Sequence, residues 1–202
     1  MKVSLLSLSF LLFAVAHQLS FAIGEPVLDT QDHPLLPYAE YYIYPAIWGP
    51  TGGGLRPGNA GNSSLPVNVL KSFSEVDLGE PLKFLPLPKI GIVPTNTLIN
   101  IEFTQTPEGV SSGNWITVKD LGEAWTVGIG GPQDHEGYPT LTGFFKIHKA
   151  QLGYTLSFLP HLNGPLYGPI GTYIDDDRKW RLVVTNGKPY EVVFIKANID
   201  SS

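Results

Sequence analysis

The 202-residue sequence contains no cysteine, and only 15% of its residues are charged. Without cysteine there is no disulfide framework and no thiol chemistry, so the folded state must depend on its hydrophobic core. The formal net charge of −5 comes without any basic cluster, and a mildly acidic chain of this kind is a poor nucleic-acid binder. These absences exclude disulfide scaffolds, thiol enzymes and nucleic-acid-binding domains.

The first 22 residues have the pattern of a secretory signal peptide. Lys2 supplies the positive start, an apolar run extends from Leu5 to Val15, and Ser20-Phe21-Ala22 is a small-x-small cleavage site. Ala14-Val15-Ala16 is an alternative cleavage site. Neither this apolar run nor any later one is long enough to span a bilayer. We therefore predict a secreted protein, extracellular or vacuolar, with no membrane partner.

The remaining residues, 23–202, are predicted to form one all-β domain, because no linker or low-complexity tract divides them. The chain holds 22 glycines and 18 prolines, and no window after the signal peptide has the apolar spacing of a helix. Short β-rich runs recur instead, separated by turn clusters. About a dozen strands at this spacing favour a sandwich or a closed barrel. The predicted strands are Tyr41–Ile47, Val67–Leu70, Ile90–Val93, Leu98–Phe103, Trp115–Val118, Trp125–Ile129, Gly143–His148, Tyr154–Leu159, Gly171–Ile174, Trp180–Thr185 and Tyr190–Ile195.

A weak internal recurrence accompanies these strands. A strand that begins with an aromatic residue, a turn and a second strand follow one another around Tyr41, Trp115 and Tyr173. The intervals are 74 and 58 residues (115 − 41 and 173 − 115). The recurrence predicts three related modules.

The stretch from Phe84 to Pro94 is the candidate functional segment. Three prolines fix their own φ near extended values and bias the preceding residues toward extended backbone, while Pro86 and Pro88 remove two amide donors. A central strand is therefore not expected to run through this segment. What remains is a pre-extended loop with Lys89 as its one charged group. This shape suits the cleft of a serine protease; the alternative is a proline-rich connection that happens to carry a lysine.

A series of short motifs, in order along the whole mature chain, resembles the plant Kunitz inhibitor family of the soybean-trypsin-inhibitor type. Each motif is weak by itself, whereas their order and spacing identify the chain as a member. The resemblance implies a β-trefoil of twelve strands in three repeats, with a six-stranded barrel closed by three hairpins. The motifs are Val27-Leu28-Asp29-Thr30, Asp32-His33-Pro34-Leu35, Tyr41-Tyr42-Ile43, Leu65-Pro66-Val67-Asn68-Val69, Ile99-Asn100-Ile101-Glu102-Phe103, Val127-Gly128-Ile129-Gly130-Gly131, Gly143-Phe144-Phe145-Lys146-Ile147, Arg181-Leu182-Val183-Val184 and Glu191-Val192-Val193-Phe194.

The resemblance also implies where a protease would bind. The family's reactive site lies on an exposed loop between the fourth and fifth strands, which places Lys89–Ile90 at the scissile position. The loop residues are then Leu87, Pro88, Lys89, Ile90 and Gly91. A lysine at the primary specificity position suits a trypsin-like pocket with a carboxylate at its floor.

The sequence departs from the family pattern in two respects. An asparagine that usually braces the loop from behind is replaced by Pro37, which has no side-chain donor. The four usual cysteine positions correspond to Leu65, Gly109, Leu159 and Tyr167. Losing a disulfide typically costs about 2–4 kcal/mol, which burial of Leu65 and Leu159 would partly offset.

Other motifs are assigned no catalytic or metal-binding role. The G-x-S-x-G pattern at residues 109–113 lacks the strand-turn-helix context of a serine hydrolase. Asp175-Asp176-Asp177 is interpreted as a solvated turn, the histidines show no ligand spacing, and no cofactor or metal is expected. Asn62-Ser63-Ser64 is a glycosylation sequon, so Asn62 is a candidate glycan acceptor.

Several functions are consistent with the sequence. The first is a secreted, monomeric inhibitor of a trypsin-like serine endopeptidase that acts through Lys89–Ile90. The second is a non-inhibitory trefoil that serves as a storage protein or binds carbohydrate or protein, an alternative that Pro37 favours. An inhibitor of papain-type cysteine proteases would keep the scaffold and use other loops. An enzyme is not expected, because no carboxylate pair has a sequence context that argues for glycosidase chemistry.

Overall fold

The computed structural model describes residues 24–61, 63–161 and 166–197. The predicted signal peptide and the candidate glycan acceptor Asn62 lie outside these ranges. Within them, no helix is long and apolar enough to cross a membrane, and the one helical element is a 3-10 turn at Pro132–Asp134. The strands are β1 (Glu40–Pro45), β2 (Leu55–Gly58), β3 (Asn68–Lys71), β4 (Leu82–Pro86), β5 (Ile99–Phe103), β6 (Trp115–Leu121), β7 (Ala124–Ile129), β8 (Thr140–Leu141), β9 (Gly143–Lys149), β10 (Tyr154–Pro160), β11 (Gly168–Ile174), β12 (Trp180–Val184) and β13 (Val192–Lys196).

Six of these strands close into an antiparallel barrel. β1 pairs with β4, β4 with β5, β5 with β9, β9 with β10, β10 with β13, and β13 returns to β1. Closure leaves no open edge within this ring of strands, and edges are where sheets otherwise pair with other chains. The barrel is the frame that carries the loop between β4 and β5.

Three hairpins form the second part of the fold. They pair β2 with β3, β6 with β7 and β11 with β12. The second strands of the hairpins also pair with one another, since β3 contacts β7, β7 contacts β12 and β12 contacts β3. Three repeats of barrel strand, hairpin and barrel strand make a β-trefoil, as the resemblance implied. The two-residue β8, paired with β6, is a thirteenth strand that the twelve-strand expectation lacked.

The strand prediction was correct for ten of its eleven runs and wrong for Ile90–Val93, which contains no strand. Within the run Ile90–Val93, Val93 is fully buried, and its backbone amide donates a hydrogen bond to Leu35 O at 2.9 Å. β2, β4 and β8 were missed. β2 was missed because Pro57 and Gly58 are unusual in strands. The strand tolerates them because it is an edge strand that pairs only with β3. β4 stops at Pro86, so the prolines end this strand but do not exclude it.

The predicted recurrence gave the correct number of repeats, but its three aromatic residues do not lie on equivalent strands. Trp115 and Tyr173 lie on β6 and β11, the first strands of the second and third hairpins. Tyr41 lies instead on the barrel strand β1. The equivalent strand of the first repeat is β2, whose sequence Leu-Arg-Pro-Gly lacks an aromatic residue. The aromatic signal therefore marked equivalent strands in two repeats only.

Aromatic side chains fill the barrel. Phe84 of β4 is fully buried and meets Phe194 edge-on at 5.1 Å between ring centroids. Phe145 and Phe158 lie at 5.3 Å, and Trp115 of the second hairpin meets Phe145 at 5.6 Å, which joins the cap to the barrel. Burial of each such side chain contributes about 1.5–3 kcal/mol relative to exposure. Phe84 also fixes the strand that leads into the candidate loop.

A buried charge lies where the three hairpins meet. Arg181 of β12 is 1% exposed and forms an ion pair with Asp120. Its guanidinium also contacts the side chain of Asn68 on β3 and lies 3.1 Å from Thr126 Oγ1 on β7. Thr126 in turn donates to Asp120 at 2.6 Å. One side chain from each of β3, β7 and β12 thus takes part in a single polar cluster, which we call the axial cluster (Asn68, Asp120, Thr126 and Arg181).

The residues at the four usual cysteine positions differ in how well they pack. Leu65 packs against the core, and a Cβ at Gly109 would lie 3.0 Å from its Cδ2. Those two positions therefore meet across a close apolar contact. Leu159 and Tyr167 adjoin the paired residues Phe158 and Gly168, but Leu159 is only half-buried and Tyr167 is 58% exposed. Both leucines are half-buried, and Leu65 but not Leu159 packs against the core, so burial compensates in part at Leu65 and less at Leu159.

Candidate functional site

The predicted loop connects β4 to β5 and is held at both of its ends. On the first side, Leu87 N donates to Leu98 O at 2.9 Å directly after Pro86. On the second side, Val93 and Thr95 donate to Leu35 O and Glu25 O at 2.9 and 2.7 Å. Because Val93 is fully buried, the returning part of the loop is fixed to the core. Between these anchors, residues 88–92 form an unsupported tip.

The tip presents its lysine to solvent. Pro88, Lys89 and Gly91 are exposed, Leu87 is 47% exposed, and Ile90 is half-buried. Ile90 N donates to Pro88 O at 2.8 Å, which makes a three-residue turn centred on Lys89. Lys89 does not have a positive φ, so the turn is the common inverse γ-turn and its backbone is not helical. Lys89 forms no ion pair with any described residue.

The segment behind the loop holds its base and leaves its tip free. Val27 N donates to Val93 O at 2.9 Å, and Leu35 N donates to Val27 O at 2.8 Å. Pro37 lies in a turn whose next residue, Tyr38, donates to Phe84 O at 3.4 Å. In the part of the chain that the structure describes, no side chain hydrogen-bonds the backbone of residues 88–92. The brace that Pro37 cannot supply is thus not supplied by another side chain there.

This arrangement holds the Lys89–Ile90 peptide bond in a tight turn at an exposed position. The prolines and the two anchors reduce the conformational freedom that a partner would otherwise have to remove on binding. The lysine can enter a pocket with its four-carbon stem against apolar walls and its ammonium at an acidic floor. The described residues contain no group of three or more potential metal ligands.

Gly91 offers a direct test of how mobile the tip is. An added Cβ there would meet nothing within 4 Å, and its φ is not positive. We expect Gly91→Ala to stabilise the protein by about 0.4–1 kcal/mol, because alanine has fewer unfolded conformations to lose. Urea unfolding measures this gain, and the rate at which trypsin cleaves Lys89–Ile90 should fall in parallel.

The matched control for that variant is Gly79→Ala. Gly79 has a φ of +79°, and a Cβ there would lie 2.1 Å from Leu55 O, so this substitution should destabilise the fold. A destabilised Gly91→Ala would show that the tip requires glycine and would contradict the expectation.

The structure places the other sequence motifs in a loop and a turn. Residues 109–113 form a loop that leads into β6, and Ser111 Oγ donates to the Asp134 carboxylate. Asp175 is buried at a tight turn, where its Oδ1 accepts a hydrogen bond from Lys179 N at 2.8 Å. Residues 109–113 are therefore a loop, and residues 175–177 form a turn as predicted, but only Asp176 and Asp177 of that turn are solvated.

A hydrogen-bonded relay escaped the sequence analysis. His148 Nε2 lies 2.7 Å from Ser157 Oγ, and His148 Nδ1 lies 2.6 Å from Asn96 Oδ1. Burial, with a smaller effect of Lys146, lowers the pKa of His148 below its usual value. The order of groups is that of an activated serine, but Ser157 is 4% exposed within a barrel strand, so a substrate carbonyl cannot reach it. The relay instead ties Asn96, next to the loop's second anchor, to the barrel wall.

Comparison with known proteins agrees with the fold. Residues 27–196 match the family model for Kunitz legume trypsin and protease inhibitors. The chain is 40% identical over 206 residues to a Kunitz-type trypsin inhibitor-like 2 protein of Pisum sativum, with 98% of this chain and 94% of that protein covered. It is 41% identical over 177 residues to subtilisin inhibitor CLSI-II of Canavalia lineata, covering 85% and 92% of the two chains.

Solved structures give the same result. A Kunitz-type trypsin inhibitor from Cicer arietinum has a TM-score of 0.80 at 39% identity, covering 86% of this chain and 99% of that one. Soybean trypsin inhibitor in complex with porcine pancreatic trypsin has a TM-score of 0.75 at 29% identity, covering 86% and 100%. By sequence and by fold, the chain belongs to the Kunitz legume family of trypsin and protease inhibitors.

Proposed function

We propose that this protein inhibits serine endopeptidases and that its target is trypsin-like. The observation that carries the proposal is an exposed, unpaired Lys89 at the tip of a loop anchored on both sides, on a scaffold of the Kunitz legume family. Family membership supports inhibition of serine proteases, and the chemistry of Lys89 supports the narrower target class.

The mechanism follows from the geometry of the loop. The protease accepts residues 87–91 as it would a substrate, with the Lys89 ammonium paired in its specificity pocket. β-branched Ile90 stiffens the leaving side of the bond. The anchors at Leu87 and Val93 keep both sides of the Lys89–Ile90 bond in place, so the complex dissociates slowly and its affinity comes mainly from a low off-rate.

Relatives of the chain are named for different target proteases. The Pisum sativum protein is named as trypsin inhibitor-like and the Canavalia lineata protein as a subtilisin inhibitor. Proteins with similar sequences are thus named for different target proteases. We infer that the side chain at the reactive position determines which protease is bound. Lysine is the side chain that a pocket with a carboxylate floor selects.

Titration of the purified mature protein against active-site-calibrated trypsin, subtilisin and papain tests the proposal. We expect one-to-one inhibition of trypsin, weaker inhibition of subtilisin and none of papain. Strong inhibition of papain would instead support the cysteine-protease alternative. If none of the three proteases is inhibited at micromolar concentration, the inhibitor assignment fails in favour of a storage or binding role.

The cellular setting belongs to the same proposal. We infer that residues 1–22 direct export and that the mature chain acts as a secreted monomer. Sequencing the N-terminus of the secreted protein tests the cleavage after Ala22 against the alternative after Ala16.

A further inference from the structure

A cavity lies at the end of the barrel away from the protease-binding loop. β1 begins at Glu40, beside Lys83 of β4, and ends at Pro45 beside Val192. Since β4 runs antiparallel to β1, its last residue Pro86 and the loop after it lie at the opposite end from Pro45. The cavity opens at the Pro45 end and has a volume of about 530 Å³, which is within the range of small-molecule sites.

The cavity has apolar walls and a cationic floor. Pro45, Ile47, Trp180 and Tyr190 contribute apolar surface, and Lys71 of β3 lies among them. Lys71 is only 5% exposed. Its Nζ lies 3.7 Å from the ring centroid of Trp180 and 5.1 Å from that of Tyr190. The ammonium thus sits between two aromatic rings.

No anion neutralises this buried ammonium. Its hydrogen-bond partner is the neutral carbonyl oxygen of Thr51, and no carboxylate of the described residues lies within 4.0 Å of it. Glu191, the acidic residue of the lining, accepts a hydrogen bond from Leu152 N at 3.0 Å through its Oε2. Lys188 adds a second positive charge to the lining. A desolvated charge without a counter-ion is costly, and the cost falls if an anion binds beside it.

The surrounding backbone holds the ammonium in this place. Gly52 has a φ of +84°, and a Cβ there would lie 2.4 Å from Ser72 O and 2.9 Å from Trp180 Cζ3. The glycine loop therefore packs directly over Lys71 and Trp180. On the other side, the ring of Phe73 packs on Trp180 at 5.4 Å. The cationic floor is thus a fixed part of the fold.

We propose that this cavity binds a small organic carboxylate, with its anionic group at the Lys71 ammonium and its apolar body against Ile47, Trp180 and Tyr190. The carboxylate would add an ion pair to an ammonium whose acceptor among the described residues is the neutral carbonyl of Thr51. The site is separate from the Lys89 loop, so both ligands can be bound at once.

The ionisation of Lys71 gives the site a pH dependence. Burial lowers the pKa of Lys71 to about 8, so the ammonium is present at pH 7 and mostly lost at pH 9.5. Tyr190 stays neutral over this range because burial raises its pKa. The other charged side chains of the lining are Lys188 and Glu191. Affinity for an anion should therefore fall as the pH rises through 8, by about tenfold or more at pH 9.5.

The test uses 3-phenylpropanoate and its neutral analogue 3-phenylpropanol. Binding is followed by ¹H–¹⁵N NMR at the indole of Trp180, on the full mature protein. We expect 3-phenylpropanoate to bind with a Kd of about 1 mM or tighter and to weaken by tenfold or more in Lys71→Met. The alcohol should bind more weakly and equally to both proteins, and Lys196→Met is the control for an exposed lysine outside the cavity.

The outcomes separate cleanly. The proposal is overturned if the parent protein does not bind 3-phenylpropanoate, or if Lys71→Met binds it as the parent does. If Lys71→Met does not fold, the pH series on the parent decides, and an affinity that is equal at pH 7 and pH 9.5 overturns the proposal. Trypsin inhibition should be unchanged by saturating 3-phenylpropanoate, so failure here and failure of the inhibitor assignment are distinguishable.

Discussion

Lys89→Ala is expected to weaken inhibition of trypsin by about a thousandfold, which corresponds to about 4 kcal/mol. The reason is that the variant removes the one charge at the tip and the stem that fills the specificity pocket. Since Lys89 is exposed and forms no ion pair with a described residue, thermal unfolding should be unchanged. Inhibition constants from tight-binding titration, with unfolding curves of the same preparations, measure both quantities.

Three further variants make the result specific. Lys89→Arg should retain strong inhibition, since a guanidinium also pairs with a carboxylate. Lys89→Leu should inhibit trypsin much more weakly than the parent and subtilisin more strongly. Lys196→Ala, an exposed lysine on the last strand, should behave as the parent. If Lys89→Ala inhibits trypsin as strongly as the parent, the reactive bond lies elsewhere.

The second large effect is expected in the axial cluster. Asp120→Ala should lower the free energy of unfolding by about 3–5 kcal/mol, because it leaves a buried guanidinium without its carboxylate. For a domain of this size the unfolding temperature should fall by roughly 6–20 °C. Arg181 is 1% exposed, so its guanidinium depends on protein groups for its hydrogen bonds. Differential scanning calorimetry and urea unfolding measure the loss.

The double variant Asp120→Ala/Arg181→Met identifies the cause. Removing both charges should recover much of the loss, since the cost arises from the charge left behind. Glu123→Ala, which breaks the exposed pair with Lys119 in the same hairpin, should leave unfolding unchanged. A double variant as unstable as Asp120→Ala alone would mean that the cluster acts through its shape and not through its charge balance.

The sequence predicts local structure well where one face of a strand is buried. Alternation such as that of Gly143–Lys149 identified β9, because its buried and half-exposed residues follow one another regularly. The run Ile90–Val93 was wrongly predicted as a strand because its residues do not share one buried face. Val93 packs into the core against the N-terminal segment, whereas Gly91 is exposed. Period alone does not distinguish a strand from an anchored loop.

The candidate loop was predictable because prolines and a lone charge leave a local signature. The axial cluster and the Lys71 cavity were not, since their members come together only through long-range pairing. Asn68 and Arg181 are 113 positions apart, and nothing in their neighbourhoods marks a contact. The same holds for the His148 relay, whose members are joined by the register of β9 with β10 and by a turn after the loop.

The paired first and last strands bear on how the protein is best handled in experiments. Glu25 O bonds Thr95 N at the base of the loop, and Ala197 N bonds Glu40 O beside the start of β1. Both ends of the described chain therefore emerge on the face that would meet a protease. A fluorophore or an immobilising linker at the turn near Gly187 would instead project from the far side. Surface attachment through that turn leaves the inhibitory face pointing into solution.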